Sequence, residues 1–143
     1  MNYASGNKSV TKAAASVAAS ATHSHEIDTL GFKYAAIDVV FSPFTAATAA
    51  YASVLKVQES DASGSGQADV TGLSITAGAG ATTGFSVGAV ARFNVDLRGR
   101  KRYLTVVTSP GNTVAIASNA RLSKAEQHAV TATESGVNNV ANL

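Results

Sequence analysis

The 143-residue chain has no cysteine, no tryptophan and only two prolines. Without cysteine, disulfides and thiolate metal ligands are excluded, and the redox compartment is left undetermined. Charged residues are also scarce, at 14% of the chain against about 25% in an average soluble domain. The 11 Lys and Arg nearly balance the 9 Asp and Glu, which gives a formal net charge of +2. The net charge of the whole molecule is therefore too small to attract nucleic acid strongly.

No apolar run approaches the roughly 20 residues that a membrane-spanning helix needs. Residues 1–8 also lack the compact apolar core of a signal peptide. We therefore expect a protein that is made in the cytoplasm and has no contact with a membrane. A surface of small, uncharged side chains is poorly protected against association, so we also expect extensive contact with other subunits.

Catalytic motifs give little support for an enzyme. The sequence has no glycine-rich phosphate loop that ends in Lys-Ser or Lys-Thr, and its one Gly-x-Ser-x-Gly match, at residues 84–88, lies in a glycine-rich segment that favours a loop or a weak edge strand. The three histidines, His23, His25 and His128, lie in segments that we interpret as terminal arms, where catalytic geometry is hard to hold. A missing motif does not disprove an activity, but we expect a protein that is not an enzyme and needs no cofactor.

The most informative stretch is residues 92–108. Phe93, Val95 and Leu97 alternate with polar residues, which is typical of a strand with one buried face. The β-branched and aromatic residues from Tyr103 to Thr108 indicate a second strand. With Gly99 between them, the pattern predicts a β-hairpin with a basic tip.

Further strands are predicted on both sides of this hairpin. They are separated by turn signals such as Ser42-Pro43 and Ser109-Pro110-Gly111-Asn112, because proline cannot donate to a sheet ladder. Residues 72–88, rich in glycine, favour a long loop or a weak edge strand. Several short strands without a convincing long helix predict an all-β, sandwich or jelly-roll-like body. The additional predicted strands are 33–41, 51–59, 67–71 and 113–118.

Both ends of the chain differ from this body, which we place at residues 27–122. Alanine in residues 12–21 would favour a helix, but no apolar stripe would anchor one to a core, so an extended N-terminal arm over residues 1–26 is the preferred interpretation. Ser123 followed by Glu126 fits a capping box and allows a short helix over residues 124–132. Residues 123–143 are otherwise predicted to be a second arm.

Two segments have weak metal-binding patterns. His23, His25 and Glu26, with Asp28 nearby, offer nitrogen and oxygen ligands, but nothing signals the last ligand of a closed zinc site. Residues 61–66 match the opening of a calcium loop, yet Gly72 stands where a bidentate glutamate is required. We therefore expect a polar strand start and a solvated turn in these places, and no metal.

The basic cluster is the sharpest functional signal. It consists of Arg98, Arg100, Lys101 and Arg102, four of the eleven basic residues. A solvated turn kept soluble by its charge is as good an interpretation as a functional one. The functional alternatives are acidic residues of a partner subunit and nucleic-acid phosphates. We favour a protein partner because one aromatic residue, Tyr103, adjoins the cluster and gives little support for base stacking.

The order of features resembles small tailed-bacteriophage virion proteins of the capsid decoration, or cement, type. The resemblance extends over roughly residues 9 to 122. It is carried by Thr11-Lys12-Ala13-Ala14, by Ile27-Asp28-Thr29-Leu30-Gly31-Phe32, by Tyr34-Ala35-Ala36-Ile37-Asp38-Val39-Val40, by Leu55-Lys56-Val57-Gln58-Glu59-Ser60-Asp61 and by Gly99-Arg100-Lys101-Arg102-Tyr103-Leu104.

This resemblance implies a β-sandwich or jelly-roll body, commonly trimeric, on the outside of a virion capsid. Its arms would bridge subunits of the major capsid protein, with Lys8, Lys12 and the basic cluster as contact residues. A tail or neck component is the alternative. A carbohydrate-binding module is less favoured because exposed aromatic platforms are scarce, and a nucleic-acid-binding module is unlikely at this net charge.

Overall fold

The computed structural model describes residues 7–44, 50–76, 87–124 and 139–142. These residues form β-strands joined by turns, and none of them lies in a helix. The described part of the chain accordingly contains no helix able to cross a membrane. The strands are β1 (Asn7–Val17), β2 (His23–Asp28), β3 (Tyr34–Phe41), β4 (Ala52–Ser60), β5 (Ala68–Ser74), β6 (Ala89–Asp96), β7 (Tyr103–Pro110), β8 (Val114–Ser123) and β9 (Asn139–Asn142).

The strands form two sheets that pack face to face. The first sheet has the order β1-β8-β3-β6-β9, and the second has the order β2-β7-β4-β5. Neighbouring strands are antiparallel except for β6 and β9, which are parallel. The predicted all-β sandwich is confirmed. The four additional predicted strands correspond to β3, β4, β5 and β8.

Alternation along each strand explains why these residues form sheets with one buried face. In β3, the side chains of Ile37, Val39 and Phe41 are at most 1% exposed, whereas Asp38 between them lies on the outer face. The apolar inner faces of the two sheets share one continuous core. Phe41 and Tyr51 meet there edge to face, with 5.2 Å between their ring centroids. Burial raises the pKa of Tyr51 to about 12.

The predicted hairpin over residues 92–108 is wrong. Its two strands exist as β6 and β7, but they belong to different sheets: β6 pairs with β3 and β9, and β7 pairs with β2 and β4. The connection between them crosses from one sheet to the other. Leu97, at the start of this connection, is buried, and its amide donates to the Lys33 carbonyl at 2.7 Å. This hydrogen bond fixes the beginning of the connection next to the first sheet.

The N-terminal segment is extended, as predicted, but residues 7–17 form an edge strand of the first sheet. β1 pairs with β8 from Asn7 opposite Ser123 to Val17 opposite Val114, with an irregularity after Ala14. Residue 26 lies inside β2, so the expected boundary between arm and body at 26/27 does not interrupt the sheets. At the other end, β8 extends through Ser123, and Asn139–Asn142 adds to the first sheet beside β6.

Some predictions fall outside the described residues. Of the short helix expected over 124–132, only Lys124 is described, and it is neither helix nor strand. In the segment 72–88, β5 continues as an edge strand to Ser74, and residues 77–86 are not described. His128 also lies outside the described residues.

Candidate functional site

The basic cluster lies on the connection that carries the chain from β6 to β7. Asp96 accepts a hydrogen bond from the Arg98 amide at 3.0 Å, and the Arg100 amide donates to the Leu97 carbonyl at 3.1 Å. Gly99 has a φ of 81°, a conformation that residues with a Cβ rarely adopt. The connection is therefore a defined turn, whose glycine permits the sharp change in direction.

Each of the four basic side chains has an acidic partner within the chain. Two of these acids, Glu59 and Asp61, lie at the end of β4 and just beyond it; Asp28 ends β2, and Asp96 ends β6. The connection is thus tied to both sheets at this end of the sandwich. The ion pairs are Arg98–Asp96 at 2.6 Å, Arg100–Glu59 at 3.6 Å, Lys101–Asp61 at 2.9 Å and Arg102–Asp28 at 2.7 Å.

These pairs set the electrostatics of the cluster. The hydrogen bonds from Arg102 hold the pKa of Asp28 at about 2, and the hydrogen bond with Asp61 raises the pKa of Lys101. Two guanidinium groups also lie over aromatic rings, Arg98 at 5.3 Å from the Tyr34 centroid and Arg102 at 5.0 Å from that of Tyr103. Four positive charges are thus balanced locally by four carboxylates, which weakens the field that the cluster presents to solvent.

Lys8 and Lys12, the other predicted contact residues, both lie on β1. Lys8 is exposed, and its charge helps to lower the pKa of Asp28, so it lies near the same end of the sandwich as the basic cluster. Lys12 lies four residues further along the same strand and donates from Nζ to the Ser24 carbonyl at 2.6 Å. The structure therefore groups Lys8 with the cluster, while Lys12 bridges the edges of the two sheets.

The potential metal ligands of β2, which the sequence places close together in the chain, do not converge. His23 and His25 point into the sandwich and are 6% and 3% exposed, whereas Glu26 points to the outer face. There, Glu26 accepts hydrogen bonds from the Ser63 hydroxyl and the Gly64 amide. Within the described ranges, no three His, Cys, Asp or Glu side chains are grouped so that they could hold a metal ion. The loop at 61–66 has its own partners, with Asp61 bound to Lys101.

The two histidines instead form part of a polar seam between β1–β8 and β2–β7. Nδ1 of His25 lies 2.9 Å from Oγ of Ser118 on β8, whereas neither ring nitrogen of His23 has a hydrogen-bond partner. Burial and the nearby Lys12 lower the pKa of His23, and burial, His23 and Lys12 lower that of His25 to about 4. Both rings are therefore neutral at pH 7. Sequence alternation placed them on one face but gave no sign that this face is the core.

The outer edge of β1 is exposed along most of its length. Of its 11 residues, only Val17 is buried, and in the described part of the chain β1 pairs on one side only, with β8. Next to its second half lies a shallow apolar groove, lined by small residues of three adjacent strands and the turn after β3. Its lining consists of Ala13, Ala14, Ala15, Val40, Ser42, Ala115, Ile116 and Ala117.

Together, these features define an antiparallel two-sheet β-sandwich with internally paired charges and one long exposed edge. No protein-family model matches the chain, and no curated protein matches it. The chain is similar to a solved structure from Bacillus endospore appendages, which form a family of disulfide-linked pili. The identity is 15% over 83% of this chain and 88% of that chain, with a TM-score of 0.36.

A second similar structure is that of a family GH115 4-O-methyl-alpha-glucuronidase with specificity for decorated arabinogalactans. The identity is again 15%, the match covers 88% of this chain but 17% of that chain, and the TM-score is 0.39. At such low TM-scores, neither similarity carries an argument about function.

Proposed function

We propose that this chain is a structural protein of a tailed-bacteriophage virion, and not an enzyme. In this proposal it is made in the host cytoplasm, binds the outer surface of the capsid and stabilises the shell by bridging subunits of the major capsid protein. The observation that carries the proposal is β1, a long edge strand that is exposed along almost its whole length. The sequence resemblance to capsid decoration proteins supplies the identity of the partner.

An exposed edge strand offers unpaired backbone groups to a second chain. An extended segment of a partner that pairs with such an edge gains main-chain hydrogen bonds, and its side chains then give specificity. The groove lies on the outer face of the first sheet next to β1, and the small side chains of Ala13, Ala115 and Ala117 leave room for the same partner to pack over that face. Val40, which is 40% exposed, supplies apolar area to bury.

The basic cluster has a secondary role in this proposal. Contact with acidic residues of the capsid would have to exchange the existing ion pairs for new ones, so the net gain in binding free energy would be small. The exposed Arg98 is the member best placed for such an exchange, and Lys8, which lies at the same end of the sandwich, could add a further contact. Assembly as a homotrimer is proposed from the resemblance alone.

The test is binding to purified capsids that lack this protein. We expect the double variant Ala13→Glu/Ala15→Glu, which puts two charges at the exposed edge and its groove, to lose binding while its unfolding free energy stays near that of the wild type. Thr71→Glu/Ser74→Glu is the matched control, because it places the same charges on β5, the exposed edge strand of the other sheet.

Equal binding by both variants and the wild type would refute the role of β1.

Mass spectrometry of purified particles distinguishes a location on the capsid shell from one in the tail or neck, because the copy numbers differ. A copy number in the hundreds supports the capsid shell, whereas about six or twelve copies supports the alternative, a tail or neck component. Complete absence from particles would reject the virion role itself.

A further inference from the structure

The turn between β4 and β5 reaches over a neighbouring strand and touches β2. Glu26 on β2 accepts a hydrogen bond at Oε1 from the Ser63 hydroxyl and, at 2.7 Å, one at Oε2 from the Gly64 amide. In the sheet order β2-β7-β4-β5, β7 lies between the two ends of this contact. The turn therefore passes over the outer side of β7, as an arch tied down by Glu26.

Beside this arch lies a depression of about 450 Å³ on the outer face of the second sheet. Its lining comes from β1, β2, β4, β7 and the arch, so it depends on the tertiary structure. The lining contains no large apolar or aromatic side chain. It consists of Lys12, Ser24, Glu26, Gln58, Gly64, Gln67 and Thr105.

The chemistry of the lining is polar and electrically balanced. Lys12 contributes one positive charge, and Glu26 one negative charge, because its hydrogen bonds from Ser63 and Gly64 lower its pKa. Gln58 is oriented by a hydrogen bond from Nε2 to Asp69 at 2.7 Å, which leaves its amide oxygen as an acceptor. The site thus offers both donors and acceptors, and its lining has no net charge. A neutral ligand with several hydroxyl groups fits best, because each hydroxyl both donates and accepts.

Thr105 supplies a second, independent indication of a ligand. Although its side chain lies on the outer face, it is 6% exposed, and Oγ1 is buried without a hydrogen-bond partner. A buried hydroxyl without a partner has lost its hydrogen bonds to water and gained none in return, which is unfavourable. A rotation of about 120° around χ1 moves the hydroxyl into the place that the methyl group or the hydrogen now occupies, where a hydroxylated ligand in the depression would provide the missing partner.

We propose that this depression binds a saccharide through the side chains of Lys12, Glu26, Gln58, Gln67 and Thr105. Recognition rests on hydrogen bonds alone, because no aromatic ring lines the site. The expected Kd is therefore about 1 mM or weaker. This activity is independent of the proposed virion role, and either proposal can fail while the other holds.

The test is a titration of the isotopically labelled full chain, followed by its amide NMR signals. The probes are glucose, galactose, mannose and N-acetylglucosamine, each up to about 100 mM, since weak binding needs that range to approach saturation. Glycerol, a polyol without a sugar ring, is the control for unspecific effects. We expect at least one sugar to shift the amide signals of Ser24, Gly64 and Thr105 along a saturating curve.

Two variants test the assignment of the site. Gln67→Ala and Thr105→Val should each weaken binding of that sugar at least threefold. Thr108→Val is the matched control for the second variant: Thr108 lies on the same strand and also has a buried, unpartnered hydroxyl, but it faces the core. It should leave sugar binding unchanged, and well-dispersed spectra establish that all three variants are folded.

Several results would overturn the proposal. They are the lack of a saturating shift with all four sugars, shifts with glycerol as large as those with the sugars, and an equal loss of binding in Thr108→Val and Thr105→Val. Shifts confined to the apolar groove beside β1 would also count against it, because they would place the bound sugar on the other sheet.

Discussion

His25 on β2 and Ser118 on β8 contact each other through the sandwich interior, with 2.9 Å between Nδ1 and Oγ. The contact joins the two sheets at a place where apolar packing would be the rule, since the histidine is 3% exposed and the serine is fully buried. The neighbouring His23 is nearly as buried, and its ring nitrogens are unpartnered. This seam makes the fold sensitive to acid.

We predict that the free energy of unfolding decreases as the pH falls from about 6.5 towards 4. The pKa of His25 is about 4 in the folded chain, against an ordinary value of 6.5, and that of His23 is also lowered. The unfolded chain therefore binds more protons than the folded chain in this window, and stability is fully present only above it. His25 alone accounts for a loss of about 3 kcal/mol across the window.

Urea unfolding at a series of pH values measures this effect. The double variant His25→Leu/Ser118→Ala removes the titrating ring and its partner together, so the decrease between pH 6.5 and 5 should become smaller. Below that range, carboxylates such as Asp28, with its pKa of about 2, add their own acid sensitivity. An unchanged pH profile in the double variant would show that His25 does not cause the decrease.

Substitution of Gly111 is expected to be severely destabilising. A Cβ at this position would lie 2.0 Å from the Ala50 carbonyl oxygen, and the Gly111 amide donates to the Tyr51 carbonyl, so the backbone has little room to move. Gly111→Ala should lower the melting temperature by far more than Gly99→Ala. At Gly99 a Cβ meets nothing within 4 Å, and the cost of about 1 kcal/mol comes from its positive φ alone.

Two arginine ion pairs of similar geometry should differ in their effect on stability. Arg92 binds Asp38 through Nε and a terminal nitrogen at 2.5 and 2.6 Å, and the two side chains are only 16% and 23% exposed. Arg98 binds Asp96 in the same way but is 61% exposed. Arg92→Ala should therefore cost about 2 kcal/mol, because it leaves a largely buried carboxylate unpaired.

Arg98→Ala should cost less than about 1 kcal/mol, since solvent screens the pair that it removes. Chemical denaturation of both variants in one buffer gives the comparison. Equal costs would mean that burial does not distinguish the two pairs. Added salt should reduce the contribution of the Arg98 pair more than that of the Arg92 pair.

DNA binding is expected to be absent or very weak even at low salt. Arg98, Arg100, Lys101 and Arg102 each have a carboxylate partner, so phosphate contacts would have to displace existing ion pairs. A gel-shift titration checks this expectation. A salt-sensitive shift that disappears when all four residues are changed to Ala would contradict it and would restore the nucleic-acid alternative.

The histidines and the basic cluster show how far the sequence predicts the candidate sites. Alternation places His23 and His25 on one side of β2 and Glu26 on the other, which already argues against a shared metal site. The basic cluster is visible as a run of charges, but its acidic partners lie far away in the sequence: Glu59 is 42 residues before Lys101, and Asp28 is 74 residues before Arg102. Nothing local in the sequence indicates such pairs.

The sequence by itself determined that this is an all-β protein and which residues of β3 and β6 face the core, because the period of two in a strand is a local property. The tertiary structure alone decided which strands pair. Residues 92–108 contain two strands and a turn, yet β6 and β7 lie in different sheets. β6 pairs with β3 and β9, β7 pairs with β2 and β4, and the chain passes from one sheet to the other after Leu97. The same long-range pairing makes the N-terminal segment the edge strand β1, and the distant Glu26 holds the arch over β7 by its hydrogen bonds to Ser63 and Gly64.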